Sequence, residues 1–393
     1  MPANYLSRVF LLPNLRVQRI TREGRFKYLF CESDQKRLAC PFCSHPKPLI
    51  HQYYQRTLKD SIIRGHLYIL KIKLKRFKCS QCHKTFNEQI GGIKPRARLS
   101  ERMQREFYWA CENFKDLKKV RKHTTCGSKT IYERYYKQLA LKQRQREFTP
   151  WPESIGIDEH AFNLNKQRGH RDFVTLIVDH KNKKPRELLP SRINAEMQSM
   201  LAHIPGRERV KNITIDLSSS YRSFAQDFFP NAQITADKFH VVRLLHPVIN
   251  RMRKSITGDR RKHPLRKMLL KNGHDLDVFE RKMISRWPEN YPKLKSVYAA
   301  KEAIHRLYRC RGFKKARRSL MSLLDWLALQ NISELKTLRR TLMSWKNEIL
   351  NYFKSGPTNA RTEGFNNVAK SIIKSSYGFR NVHNYRLRVL NAR

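Results

Sequence analysis

A chain of 393 residues with 82 lysines and arginines against 32 aspartates and glutamates carries a formal net charge of +50. Such a chain repels itself, so a compact fold must spread its cations over the surface and leave them facing a polyanion. Solubility alone needs a net charge of only roughly 2–8 in magnitude for a small domain. The surplus points to nucleic acid, whose binding releases counterions. A membrane surface is the competing reading, and it lacks an anchor: no apolar run approaches the ~20 residues of a spanning helix. The run Val9-Phe-Leu-Leu-Pro13 is short and closed by its proline, so it does not read as a signal peptide. Hydrophobic residues at 40% and aromatic residues at 10% suffice for ordered cores. The length suggests several domains of about 100–200 residues each.

Eight cysteines stand at Cys31, Cys40, Cys43, Cys79, Cys82, Cys111, Cys126 and Cys310. Four of them form two pairs, Cys40-Pro-Phe-Cys43 and Cys79-Ser-Gln-Cys82, separated by 35 residues. A CxxC turn puts two thiolates on one side of an ion, and Zn²⁺ prefers four such ligands in a tetrahedron. The long gap is tolerable because loop-closure cost grows slowly with length. Cys31, His45 and His83 are the alternative ligands, and buried or stray thiols the alternative role. Four protein ligands would make the zinc structural. With no signal peptide, the thiols are expected in a reducing cytoplasm.

The pattern changes along the chain. Residues 1–98 surround the cysteine pairs with strand-like segments. In His66–Lys78, Tyr68, Leu70, Ile72 and Leu74 alternate with mostly basic residues, a period of two with one packed and one cationic face. Residues 99–148 read as helical, with Ser100 as an N-cap followed by Glu101. Stretches at about 101–123 and 129–145 flank Thr124-Thr-Cys-Gly-Ser128, the shape of a helix-turn-helix. Its second helix would present Lys129, Thr130, Tyr132, Arg134 and Lys137. A helical hairpin that only packs domains together is the plainer alternative. Thr149-Pro-Trp-Pro-Glu-Ser154 reads as a stiff linker.

Beyond it, strands and helices alternate. Strands are expected at Ile155–Glu159, Phe173–Asp179, 186–190, Val210–Asp216 and Ala232–Ala236, and helices at Asn194–His203 and Ser218–Phe229. That order suits a mixed α/β sheet. From about 238 to 355 the sequence reads as helical and rich in lysine and arginine.

Acids are scarce here and therefore conspicuous. Asp158 ends the hydrophobic strand Ile155-Gly-Ile-Asp158, and Asp216 ends Ile213-Thr-Ile-Asp216. Carboxylates at the ends of adjacent strands can converge on hard cations such as Mg²⁺, and two such ions can serve both the attacking and the leaving oxygen of a phosphoryl transfer. A helix opening after Gly356-Pro-Thr358, with Thr358 as its cap, would carry Asn359, Glu363, Asn366, Asn367 and Lys370 on one face. Phe365, Val368, Ala369, Ile372 and Ile373 share the other face, so Glu363 stands on the polar side of a helix able to pack on the sheet. Asp237 and His240, three apart at a helix start, could orient a ligand from behind. Taken singly, each of these acids could equally be a cap or a surface partner for a cation, and His240 a satisfied histidine.

Taken together, the motifs resemble the transposases of bacterial insertion sequences, in the ISL-three family. They are Cys40-Pro-Phe-Cys43 with Cys79-Ser-Gln-Cys-His-Lys-Thr-Phe-Asn-Glu88, Ile155-Gly-Ile-Asp-Glu-His-Ala-Phe162, Ile215-Asp-Leu-Ser-Ser-Ser-Tyr221, Ala236-Asp-Lys-Phe-His-Val241, and Asn359-Ala-Arg-Thr-Glu-Gly-Phe-Asn-Asn367 with Tyr377-Gly-Phe-Arg380. They fall in the family order and span nearly the whole chain. The resemblance implies a multidomain α+β protein: a zinc-binding, β-rich DNA-binding domain at 1–98, a helix-turn-helix domain at 99–148, and a ribonuclease-H-like α/β catalytic domain at 149–393. It places a DDE triad on Asp158, Asp216 and Glu363, with Asp237 and His240 in support. The 146 residues between Asp216 and Glu363 would hold a helical insertion at about 240–350. The chain stops soon after Tyr377-Gly-Phe-Arg380, so any tail found in relatives is expected to be missing.

The expected cofactors are Mg²⁺ (or Mn²⁺) at the triad and Zn²⁺ at Cys40, Cys43, Cys79 and Cys82. The expected partners are the element's terminal inverted repeats and target DNA, both double-stranded, with Lys129, Thr130, Arg134 and Lys137 on the DNA and a homo-oligomer holding two ends. The expected location is the bacterial cytoplasm, on the nucleoid. Three rivals share the charge: an inactive DNA-binding regulator, a nuclease without strand transfer, and an RNA-binding protein of the ribosome. The last leaves the three acids unexplained.

Overall fold

The structure is a computed structural model of the whole chain. It describes residues 14–35, 38–114, 116–164, 171–258, 264–356, 359–376, 378–379 and 381–392. The expectations for Thr358, Tyr377 and Arg380 lie outside the described residues. The chain forms two compact units, residues 1–137 and 138–393.

In the first unit, β1 (Leu15–Glu23), β2 (Phe26–Ser33), β3 (Leu49–Ile63), β4 (His66–Lys78) and β5 (Thr85–Asn87) form one sheet in the order β1-β2-β4-β3, with β5 on β4. The long hairpin β3–β4 closes from the pair Ile63↔His66 through Arg64 and Gly65, both at positive φ (50° and 77°). A two-residue turn of that hand matches the twist of the strands. The period of two in β4 holds: Tyr68, Leu70, Ile72 and Leu74 are buried with Leu15, Val17, Leu29 and Leu58. Between them, Lys71 lies 4.9 Å from the Tyr28 ring and 5.1 Å from that of Phe30, and Lys73 lies 5.0 Å from Tyr53. The outer face is thus cations laid over aromatic rings.

Helices α1 (Glu101–Asn113), α2 (Leu117–Thr124) and α3 (Ser128–Glu147) follow. Ser100 caps α1 as expected, accepting from the Met103 N–H at 3.2 Å. The single helix expected at about 101–123 is instead two. Phe114 turns to an extended backbone (φ −81°, ψ 141°), and Asp116 starts a new helix by accepting from Lys119 N–H at 2.8 Å. A side-chain acceptor satisfies a helix-start donor at that point, so the break costs little.

The second unit begins with a correction. The expected linker at 149–154 is docked: Trp151 is 1% exposed, packs edge-on against Phe229 with ring centres 5.1 Å apart, and donates its backbone N–H to the Pro205 carbonyl at 3.0 Å. Its prolines stiffen a segment that the core already holds. Strands β6 (Ser154–Leu164), β7 (Arg171–Asp179), β8 (Lys184–Leu189), β9 (Asn212–Ile215) and β10 (Gln233–Ala236) form a second sheet in the order β10-β9-β6-β7-β8. The strands β6, β7 and β8 are antiparallel, whereas β9 and β10 run parallel to β6. Helices α4 (Asn194–Leu201) and α5 (Ser219–Phe228) make the crossovers that parallel strands require. The chain then runs through α6 (Lys238–Val242), α7 (His246–Thr257), α8 (Pro264–Leu270), α9 (Val278–Arg286), α10 (Pro292–Leu307), α11 (Phe313–Ala328), α12 (Ser333–Ser344) and α13 (Lys346–Ser355), the helical stretch the sequence suggested. It returns to the sheet as α14 (Ala360–Ser375) and α15 (Val382–Leu390). One sheet face packs Ile155, Ile157, Ile213 and Ile215 on Phe224 and Phe228. The other packs Phe162, Val174, Leu176 and Leu188 under Ala369, Tyr385 and Val389.

Helix α14 does not divide as its periodicity suggested. Asn359, Thr362 and Asn366, polar all three, are at most 3% exposed, whereas Glu363, Asn367 and Lys370 face solvent. The buried polar groups are matched to the sheet. Thr214 donates to Asn359 Oδ1 at 3.0 Å, and Thr362 Oγ1 lies 3.2 Å from His180 Nε2. The helix comes this close because residue 156 is glycine. A Cβ there would collide with Thr362 Oγ1 and stand 2.5 Å from both Asn359 Oδ1 and His180 Nε2. Gly156→Ala is therefore expected to push α14 outward. Overpacking of this kind costs ~1–3 kcal/mol, so calorimetry should show unfolding lowered by several degrees and faster amide exchange in α14. An unchanged transition would mean that the helix does not sit this close.

Candidate active site

The strand register builds the site. Ile157 pairs with Ile215 across β6 and β9, and Ile215 pairs with Ala236 across β9 and β10. The next residue on each of the three is an aspartate, so Asp158, Asp216 and Asp237 stand in a row. Asp216 and Asp237 sit just past their strands. Asp158 does not end its strand as expected: β6 continues to Leu164, paired with β7.

The row is short of positive charge. Asp158 is 9% exposed, and burial together with the neighbouring Asp216 pushes its pKa up to about 7. Its carboxylate accepts from the Glu159 N–H at 2.7 Å and from Asn366 Nδ2. His240 Nδ1 lies 2.8 Å from Asp237 Oδ2 and 2.9 Å from Asp216 Oδ1. These two carboxylates, Asp216 first, raise the imidazole pKa to about 10. One N–H cannot satisfy two oxygens fully. Asp216 Oδ1 is buried, and the N–H it faces is shared with Asp237. Asp216, Asp237 and His240 each offer a ligand atom, all within 4.8 Å of one another. A buried carboxylate oxygen that only shares an N–H, beside two further carboxylates, fits a hard divalent cation.

Of the other expected acids, Glu363 stands exposed in the first turn of α14, outside that cluster. It shares the wall of a cavity of about 350 Å³ with Asp237 and Lys238. The sequence reading missed what positions it. Asn366, one turn beyond Glu363, donates to Asp158, and its Oδ1 lies 2.9 Å from His160 Nδ1. His160 Nε2 in turn lies 2.6 Å from the Tyr385 hydroxyl. Burial lowers the His160 pKa to about 4, so the ring is neutral. With its proton on Nδ1, the chain runs one way: Tyr385 donates to His160, His160 to Asn366, Asn366 to Asp158. A signal was available, because Gly156, Asp158, His160 and Phe162 share one face of a strand by alternation.

In the first unit the four expected thiols converge. Cys40 Sγ lies 3.6 Å from Cys82 Sγ, Cys43 Sγ lies 3.5 Å from Cys79 Sγ, and all four are within 4.8 Å of one another. The two knuckles share one geometry. In each, the first cysteine's carbonyl accepts from the residue after the second cysteine, and that residue, Ser44 or His83, has φ near 60°. The alternative ligands stay out of the cluster. Cys31 is 2% exposed in the sheet core, where burial pushes its thiol up to about 12, and His45 Nε2 pairs with Ser80 Oγ at 3.0 Å. Four thiols at this spacing suit Zn²⁺. On α3, Lys129 and Lys137 are exposed and Thr130 and Arg134 half-buried, while Ile131, Tyr135 and Leu139 face inward.

Carboxylates gathered on adjacent strands, in a chain of net charge +50, are compatible with an enzyme that acts on a polyanion. Comparison with known proteins gives the family. The family model for transposases of the DDE type, ISL3 group, matches residues 155–389. The transposase for insertion sequence element IS1001 of Bordetella parapertussis is 23% identical over 380 residues, 93% of this chain and 91% of that protein. The chain belongs to the ISL3 family of insertion-sequence transposases and is a DDE-type DNA transposase. Membership implies the use of divalent metal. No helix among the described residues is long and apolar enough to cross a membrane.

Two expectations follow. Purified protein should carry about one zinc per chain, and Cys43→Ser or chelation should cost the first unit its cooperative unfolding. Full retention of the far-UV signal and melting point after complete zinc removal would exclude a structural ion. In metal-free protein, folded Asp158 keeps a proton that the unfolded chain, at the ordinary 3.8, gives up. Its stabilisation is therefore present at low pH and lost as pH rises through about 7. Melting in EDTA from pH 4 to 8 should show that decline, flattened in Asp158→Asn.

Proposed function

We propose that Asp158, Asp216 and Glu363 are the catalytic carboxylates of this transposase, with Asp237 and His240 in support, on a ribonuclease-H-like sheet. The observation that carries the reading is the Asn366–Asp158 bond, which ties the helix of Glu363 to the strand of Asp158, itself next to Asp216. The strand order β8-β7-β6-β9-β10, with the first three strands antiparallel and the last two parallel, supports the fold assignment. Residues 149–393 are read as the catalytic domain, with a helical insertion at about 240–350. Residues 1–98 are read as a zinc-bearing DNA-binding domain held by Cys40, Cys43, Cys79 and Cys82, and 99–148 as a helix-turn-helix. Lys129, Thr130, Arg134 and Lys137 then face DNA, phosphate contacts giving most of the affinity and side chains such as Lys129, Thr130 and Arg134 reading bases. The relative's name supports an insertion sequence as the element, so the DNA bound is its terminal inverted repeats and then a target. Two ends handled together require a homo-oligomer on DNA.

Mg²⁺ (or Mn²⁺) held by the three acids would supply the positive charge that offsets charge gathering on the phosphate and ease ionisation of the attacking hydroxyl. The protein's own part is positioning. Asn366 and the Glu159 N–H fix the Asp158 carboxylate, and His240, protonated between Asp216 and Asp237, keeps those two from repelling each other. In the first displacement, a water oxygen bonds to the phosphorus at the element end, and the phosphorus–O3′ bond breaks to free a 3′-hydroxyl. In the second, that hydroxyl attacks a target phosphodiester, one phosphorus–oxygen bond forming as another breaks. Each nucleophile's proton passes to solvent.

The test is cleavage and joining of duplexes that carry the element's own ends, in Mg²⁺. Glu363→Gln and Asp216→Asn should each lower the rate by about 10³-fold, on the order of 4 kcal/mol, with end binding retained. A Glu363→Gln protein of normal rate would remove Glu363 from the triad. Cleavage without joined products from the unaltered chain would make it a nuclease.

A further inference from the structure

We infer that the cavity of about 350 Å³ beside Glu363 receives one unpaired nucleotide of the DNA substrate. This rests on the reading of Glu363 and Asp237 as part of the active site, since both line the cavity. The argument starts from two orphans. The Tyr308 hydroxyl and His305 Nε2 are both buried and make no hydrogen bond among the described residues. Buried polar atoms are almost always paired, so an unpaired one needs an explanation. Two of them line the same cavity, at the C-terminal end of α10, and Tyr308 is only 7% exposed. Burial favours the neutral form of each, raising the tyrosine pKa and lowering that of the histidine. A hydroxyl and a neutral imidazole nitrogen supply the donor and acceptor that the edge of a base requires.

The rest of the lining fits the same occupant. Phe239 and Tyr308 make part of the wall apolar; Phe239 carries Arg243 over its ring, 3.3 Å from the centre, and Tyr308 stacks on Phe353, ring centres 5.6 Å apart. Lys238 and the exposed Arg309 place cations on the wall, suited to the flanking phosphates. A free nucleotide would have no reason to lie against the acids that act on DNA, whereas a nucleotide next to the scissile phosphate must pass there. A base in duplex is stacked and cannot enter such a cavity, so it has to be unpaired first, at a few kcal/mol.

The experiment uses the full chain and duplexes carrying the element's ends, with 2-aminopurine placed at one position at a time around the cleavage point. Divalent cation is omitted, so the reading is taken before any chemistry. One position should brighten several-fold on binding, and Tyr308→Phe, which removes a single oxygen, should cut that response at least threefold. His305→Ala should do the same, and His305→Gln should restore part of it. Binding affinity should change less than tenfold. Asp216→Asn should keep the fluorescence response while losing cleavage, which separates this inference from the assignment of the acids. The inference is overturned if the complex forms and no position brightens, or if the brightening is indifferent to Tyr308 and His305.

Discussion

The second unit depends on how closely α14 lies on β6. The approach is set by an absence, the missing side chain of Gly156, against which Thr362 and Asn359 are packed. Once the helix is that near, its polar side chains have no water, and each must find a partner on the sheet. Asn359 takes Thr214, Thr362 takes His180, and Asn366 takes Asp158 and His160. Such bonds are directional, so they fix the helix against sliding and rotation in a way an apolar contact would not. The position of Glu363 follows from theirs, since it projects from the same turns.

The same joint explains how carboxylates can be concentrated in a strongly basic protein. Long-range attraction to 82 cations does not reach buried oxygens well, because the field of exposed lysines and arginines is screened by solvent. The row Asp158, Asp216 and Asp237 is instead relieved locally, by a proton favoured on Asp158 and by the imidazole between the other two. Neither relief is complete, since Asp216 and Asp237 share one N–H of that imidazole.

Much of this was legible in the sequence, and the failures have one cause. Asp158 and Asp216 stood out because each follows a short β-branched run, and the parallel register that aligns them needs no more than the strands themselves. The cysteine pairs stood out by spacing. What periodicity could not show was a buried polar face. It assigned Asn359 and Asn366 to solvent because polar residues usually go there, whereas their partners lie on strands more than 140 residues away in sequence. The reading of Thr149–Ser154 as a linker failed similarly: prolines signal a stiff segment, and only tertiary structure shows that Trp151 is inserted among Phe228 and Phe229. The break at Phe114 was accessible, since Asp116 is a capping residue in a run of helix formers, but lysines on both sides masked it.

The two kinds of polar burial in this unit carry opposite meanings. Along α14 the buried Asn359, Thr362 and Asn366 are matched within the fold, which is what a joint needs: satisfied groups hold one arrangement. At the end of α10, Tyr308 and His305 are buried yet unmatched, although the neighbouring Lys301 finds two backbone carbonyls, those of Leu269 and Lys271. The fold therefore had the means to satisfy polar groups in this neighbourhood, and did so for Lys301 but not for Tyr308 and His305. An unpaired group that could have been paired is a cost borne by the free protein, and it is recovered only when something from outside completes the bond. The two regions meet at Glu363, which rides on the matched helix and faces the unmatched cavity, so the rigidity of the one is what would give the other a fixed place from which to hold DNA.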